Sequence, residues 1–346
     1  MFLGERGDRM RVIRFLLKGL GVIVGLIILA IVGFYVYLST RPAPKTIKAV
    51  AIITPPPQSS FPLKFIDYMF VNGAKLYAGY TSQGFVAVID TATNQVVAEI
   101  GGLPRTHGIA TAGANGFATA SGDDTVGIFD LSSNRLLKKI PGGVDPDAII
   151  YDDKLRLIYA ADHDGKTGTL IDPVTMSVTA TVPLGGVAEY AQADPQSGLI
   201  YQNLQDISEL VVVDPQKQMV TQRYKLGEGT GPSGLAFDAA NRRLFSTCDN
   251  KKLVVLNADT GQVVATLPIG SGVDGAAYDP DLRRVYAFNG FGTMTVIQQD
   301  SADSYRVLEQ AATHFGGHSG AVDPATHRIY VAYFGSIAAY DPVPNP

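Results

Sequence analysis

The chain of 346 residues has no tryptophan and a single cysteine, Cys248. A lone thiol excludes an internal disulfide, so no covalent staple holds this fold. Familiar catalytic signatures are missing too: there is no G-x-S-x-G elbow and no H-E-x-x-H pair. Residues 227–234 are rich in glycine, but they join two strand-like runs and open no helix. That excludes the usual phosphate cradle. Charge is absent throughout residues 19–38. Elsewhere its distribution is uneven. Eight of the 28 Lys/Arg but only Glu5 and Asp8 of the 32 Asp/Glu fall in residues 1–48. Everything after them is therefore acidic, which disfavours a nucleic-acid partner.

At 1.5 Å per residue an uncharged run of that length spans roughly 30 Å, the hydrocarbon thickness of a bilayer. Five basic residues, Arg6, Arg9, Arg11, Arg14 and Lys18, precede it. The spacing predicts a cytoplasmic basic segment (1–14), an uncleaved transmembrane signal-anchor helix (15–38) and an outward-facing remainder. No A-x-A cleavage site follows the run, and Tyr35 and Tyr37 suit an interfacial belt. Residues 39–60 read as a proline-rich linker.

What is present in abundance is a repeat. Short strand-like runs recur with a polar residue ending each third strand: Asp90, Asp130, Asp172, Asp214, Asn257, Gln298 and Asp341. Successive gaps run from 40 to 43 residues. After the first five markers an aliphatic residue returns six positions on: Val96, Leu136, Val178, Val220 and Val263. Constant spacing means constant hairpin length, hence a repeated register. A period of this size made only of strands is that of propeller blades. The expected fold is all-β, a seven-bladed β-propeller of four-stranded antiparallel blades over residues 61–342, with an N-terminal transmembrane helix and a short tail, 343–346. The last repeat stops after three strands. Residues 46–53 (TIKAVAII) resemble an outer strand and are expected to complete it, which would remove open edges. The outer hairpin of blade 6 is expected to protrude.

The phrases Leu76-Tyr-Ala, Val285-Tyr-Ala and Ile329-Tyr-Val-Ala resemble the YVTN repeat of YncE-like seven-bladed propellers, as does Val-Ile-Asp-Thr at 88–91. So do the linking phrases at 231–238 and 272–279. The missing tryptophan sets the chain apart from WD-type propellers. The resemblance implies an exported bacterial protein, here a single-pass protein of the cytoplasmic membrane with its propeller in the extracytoplasmic space. It also brings an association with single-stranded DNA, which the acidic ectodomain opposes.

Inner strands of a propeller begin at one mouth of the central channel. Counting back from the recurring inner-strand aspartates (Asp152, Asp194, Asp238, Asp279, Asp323) gives Asp147, Glu189, Ser233, Asp274 and His318. By pattern, blades 1 and 2 add Phe65 and His107. Equivalent positions share a radius, so these side chains are expected to converge. His107, Asp147, Glu189, Asp274 and His318 form the primary candidate set; Ser233, His163 and His314 are secondary. Two imidazoles and three carboxylates are a donor set for a divalent metal, the one cofactor this ring implies. The inner-strand aspartates recur too regularly for a site and read as turn-formers. Loops on the same face carry Asp123, Asp124, Asp162, Asp164, Asp206, Glu209 and Asp249, predicting an acidic rim. His327 reads as a solvent-exposed turn residue. Two functions follow. One is a monomeric, membrane-tethered binding module for a small molecule, peptide or envelope protein. The other is a metal-assisted hydrolase or lyase of lactonase type. No catalytic residue is assigned.

Overall fold

The computed structural model describes residues 20, 23–37, 40–54 and 65–344. The chain divides into two units, Met1–Ala43 and Pro44–Pro346. In the first, residues 23–37 are helical and Thr40 Oγ1 donates to Val36 O at 2.8 Å. Its apolar side chains face outward, with Leu29 68% exposed and Tyr35 71%. Among the described residues no helix is long and apolar enough to cross a membrane. The expected span 15–38 lies partly outside those residues.

The second unit is seven four-stranded antiparallel sheets. Blade 3 shows the plan: Pro146–Asp152, Leu157–Asp162, Thr167–Asp172 and Ser177–Pro183 pair in sequence order. Inner strands of neighbouring blades touch in cyclic order, the last meeting the first. The repeat markers do what their chemistry dictates. Asp172 Oδ1 accepts from the N–H groups of Val174 and Thr175 at 2.7 and 3.2 Å. The same fork recurs at Asp90, Asp130, Asp214 and Asn257. Four residues after each marker the backbone turns left-handed, at Asn94, Asn134, Met176, Gln218 and Gly261. One turn design therefore fixes the outer hairpin of five blades.

The inner-strand aspartates are buried and close their own turns, Asp279 Oδ1 accepting from Asp281 and Leu282 N–H at 3.1 Å. In three of them the second oxygen reaches the next blade. Asp194 Oδ2 lies 2.9 Å from Arg242 Nη1, and Asp238 Oδ2 accepts from Gln299 Nε2 at 2.8 Å. Asp279 Oδ2 lies 3.0 Å from His327 Nδ1. His327 is therefore a bridge between blades 6 and 7, not a free turn residue. Inner strands approach so closely that a Cβ on Gly234 would sit 2.6 Å from the Ala276 nitrogen.

Ile47–Ile53 is the outer strand of blade 7. It pairs with Ser336–Pro342, from Ile47 opposite Pro342 to Ile53 opposite Ile337. Glu309, on blade 6, holds its start: the carboxylate accepts from Lys45 N, Thr46 N and Thr46 Oγ1 at 2.7–3.1 Å. Arg284 donates to the Val343 and Pro344 carbonyls, fixing the other terminus. Hydrogen bonds to a charged group contribute roughly 1.5–3 kcal/mol, so Glu309→Ala should lower stability by about that amount in denaturant unfolding. An unchanged midpoint would show that this carboxylate does not hold the strand. The long hairpin of blade 6, Thr293–Ser301 and Ser304–Ala312, folds against blade 5. There Arg243 Nη2 donates to Asp303 Oδ1 at 2.6 Å, and Tyr305 packs edge-on to Phe245.

Candidate functional site

In blades 2 to 6 the second residue of the inner strand stands at the channel mouth, and in blades 1 and 7 the place falls to Asp67 and His318, just before the strand. His107, Asp147, Glu189 and Asp274 line one cavity of about 250 Å³, together with Asp67, Asp145, His163, Arg105 and Tyr68. Asp67 replaces the expected Phe65. Blade 1 turns between its first two strands with Asn72 opposite Lys75, whereas blade 3 has Asp152 opposite Leu157. That turn is two residues shorter, which moves the equivalent position from 65 to 67. Phe65 lies outside the ring, 43% exposed.

The mouth is organised as imidazole–carboxylate pairs. His107 Nδ1 lies 2.5 Å from Asp67 Oδ2 and 3.3 Å from Asp147 Oδ1, and its Nε2 lies 2.9 Å from Ser121 Oγ. His163 Nε2 lies 3.4 Å from Glu189 Oε1, with Asp164 3.0 Å from Nδ1. His318 Nδ1 lies 2.9 Å from Asp274 Oδ2. Burial pulls the His107 pKa down, but the Asp67 hydrogen bond and the charges of Asp147, Asp67 and Asp145 win and raise it to about 9. The Glu189 hydrogen bond lifts His163 to about 9 against partial burial. For His318, Asp274 likewise outweighs burial and raises the pKa. Burial pushes Glu189 up to about 7, and burial with the Asp67 charge raises Asp147. The site thus holds both protonated imidazoles and reluctant carboxylates.

A raised histidine pKa stabilises the fold below the unfolded value of 6.5, and that contribution is lost as pH rises through the folded value. For His163 the window ends near 9. Glu189→Gln should move the His163 titration, followed by imidazole NMR, downward. A midpoint unmoved by that substitution would break the pairing.

One residue deeper, Tyr68 and Tyr190 from blades 1 and 4 meet edge to face with centroids 4.7 Å apart. The equivalent positions elsewhere are small: Gly108, Ala148, Gly234, Gly275 and Ser319. The two rings thus form a floor under the mouth, and Tyr68 donates its hydroxyl to Asp147 Oδ2 at 2.9 Å. Below that floor an apolar cavity of about 390 Å³ is lined by Tyr68, Phe70, Ile149, Tyr151, Tyr190 and Gln192, among others.

The secondary candidates separate. His163 joins the mouth. Ser233 is buried and lies 3.3 Å from the Val273 carbonyl, to which it donates. His314 stacks on Tyr333 at 4.2 Å, away from the mouth, and burial lowers its pKa. The rim is less acidic than expected, because three of its acids have cationic partners. Asp123 pairs with Lys139 at 2.6 Å, Asp206 with Lys166 at 2.7 Å, and Glu209 with Arg223 and Lys225. Asp162 is buried and accepts from Thr167, Thr169 and Gly143 N–H. On blades 6, 7 and 1 the same face carries an arc of phenylalanines, Phe291, Phe315, Phe334 and Phe65, with neighbouring centroids 5.9–6.4 Å apart. Phe291 is 58% exposed and Phe334 46%. Sequence reasoning missed Asp67, Asp145, both floor tyrosines and this arc. The even spacing of residues 67 and 107 was the available signal for Asp67.

No family model matches the chain, and no curated protein matches it. Among solved structures it is similar to a chain of hydrazine synthase from Kuenenia stuttgartiensis, with a TM-score of 0.73 and 15% identity over 82% of this chain and 97% of that one. At that identity the likeness concerns the fold alone.

Proposed function

We propose that this chain is a YncE-like binding propeller, tethered to the bacterial cytoplasmic membrane by its N-terminal segment, that holds its ligand at the channel mouth. The observation carrying this reading is the meeting of three imidazole–carboxylate pairs, drawn from blades 1 to 4, 6 and 7, over one tyrosine floor. A concave site with a few convergent polar groups and shifted pKa values is where binding or chemistry is expected. The tether is supported by the uncharged run of residues 19–38 and by a helix apolar on all sides, which suits lipid better than water. The phenylalanine arc gives a partner protein an apolar landing beside the mouth.

A thermal-shift panel of small amines, sugars and lactones on the full-length protein tests the reading. Compounds that raise the melting temperature of the native protein but not of a Glu189→Gln, His163→Gln variant support it; equal shifts in both would refute it. For the partner face, Phe291→Ser with Phe334→Ser should abolish a crosslink to an envelope protein while leaving the melting temperature unchanged. Persistence of that crosslink would remove the arc from the account. Release of the full-length protein from membranes by alkaline carbonate would sink the tether. Absence of salt-sensitive oligonucleotide retardation is expected from the acidic ectodomain.

A second reading, metal-assisted hydrolysis or lyase chemistry of lactonase type, is favoured by one observation: Asp67, His107 and Asp147 each bring a ligand atom within 4.8 Å of the others. Lactone turnover lost on chelation would favour it over simple binding.

A further inference from the structure

We infer that Asp67, His107 and Asp147 form a seat for one divalent transition-metal ion. This rests on the binding reading above and names a ligand class for the same mouth. Each residue comes from a different blade, so the seat exists only when blades 1, 2 and 3 are packed together. His107 Nδ1 stands between Asp67 Oδ2 at 2.5 Å and Asp147 Oδ1 at 3.3 Å.

The surroundings prepare each donor. Ser121 Oγ donates to the Arg105 carbonyl at 3.4 Å, which leaves its lone pairs to accept from His107 Nε2–H at 2.9 Å. The contact of Nδ1 with Asp67 is itself a hydrogen bond in the metal-free protein, and a metal ion would take the place of that Nδ1 proton. The two carboxylates repel each other unless positive charge lies between them, either the imidazolium or a metal ion. Tyr68 occupies Asp147 Oδ2 at 2.9 Å and leaves Oδ1 facing His107. A histidine whose second N–H is engaged, beside a carboxylate held by a further hydrogen bond, is how proteins orient metal ligands. Imidazole with carboxylate suits zinc, copper, nickel or iron; calcium and magnesium prefer all-oxygen sites. The cavity above the trio leaves room for water or a ligand atom on the ion. The neighbouring Asp145, His163 and Asp164 are a poorer seat. His163 Nδ1 is 3.8 Å from Asp145 and its Nε2 already faces Glu189, while the Asp164 side chain is 66% exposed.

Equilibrium dialysis of the full-length protein against zinc, followed by elemental analysis, tests this, with cobalt(II) visible absorption as a second readout. One ion per chain is expected. Asp67→Asn and His107→Gln should each weaken it by at least about tenfold, Tyr68→Phe should weaken it in the same direction, and His163→Gln should leave it unchanged. Asp67→Asn preserves shape, so it reports even where His107→Gln fails to fold. Sub-stoichiometric metal, or an ion retained by Asp67→Asn protein that melts like the native form, overturns the inference. So does loss confined to His163→Gln, which would move the ion to the neighbouring cluster. A ligand that binds the mouth of metal-free protein would leave the binding reading standing while this inference fell.

Discussion

Protein carrying Ile53→Asp should lose its cooperative unfolding transition, whereas Ile52→Asp should fold almost normally. The two residues are neighbours on the ring-closing strand and point to opposite faces. Ile53 is 2% exposed and packs with Ile66, Leu76, Tyr330 and Ile337; Ile52 is 51% exposed. An unpaired buried carboxylate costs several kcal/mol after relaxation, against a total stability of about 5–15 kcal/mol. The same charge on the exposed face costs roughly 0.5 kcal/mol. Because the strand joins the two ends of the chain, its loss opens the ring between blades 7 and 1. Circular dichroism during urea unfolding makes the comparison. Equal effects at 52 and 53 would mean that the strand is paired in another register.

The second large effect is expected at His107. Replacing it by leucine leaves Asp67 and Asp147 facing each other with no cation between them, their side chains only 18% and 12% exposed. Removing one partner of a buried charge pair costs about 3–5 kcal/mol. The sign of the pH dependence follows from Asp147. Burial already raises its pKa, so the folded state binds this proton more tightly than the unfolded state does, and ionising it opposes folding. The penalty should therefore be full at neutral pH and shrink as pH falls toward the acid range. A His107→Leu protein equally weakened at pH 5 and pH 8 would show that the loss is one of packing, not of charge.

These two sites differ in how far they can be read from the chain. The ring-closing strand is visible because Thr46–Ile53 copies the outer-strand pattern and the final repeat lacks one. The turn-forming aspartates are visible for a similar reason: a carboxylate at a strand end has one local task, and five copies perform it. Asp67 escaped because the first hairpin of blade 1, like that of blade 2, is two residues shorter than that of blade 3, and a two-residue error moves a whole position along the channel. The floor tyrosines escaped for another reason. Nothing in a single repeat says that Tyr68 and Tyr190, 122 positions apart, face each other across the axis while five small residues make room for them. The acidic rim was overread, since a sum of charges ignores that Lys139, Lys166 and Arg223 reach across strands to their partners. Local chemistry is legible in sequence; closure around an axis is what converts it into a site.

Side chains of blades 1, 2 and 3 meet at one point in space, at the channel mouth. An anomalous-scattering map at the zinc edge, from crystals of the full-length protein equilibrated with zinc, tests it most directly. A single peak bounded by Asp67, His107 and Asp147, above the Tyr68–Tyr190 floor, is the predicted result. An empty mouth with these three side chains turned apart, or a peak seated elsewhere, would contradict it.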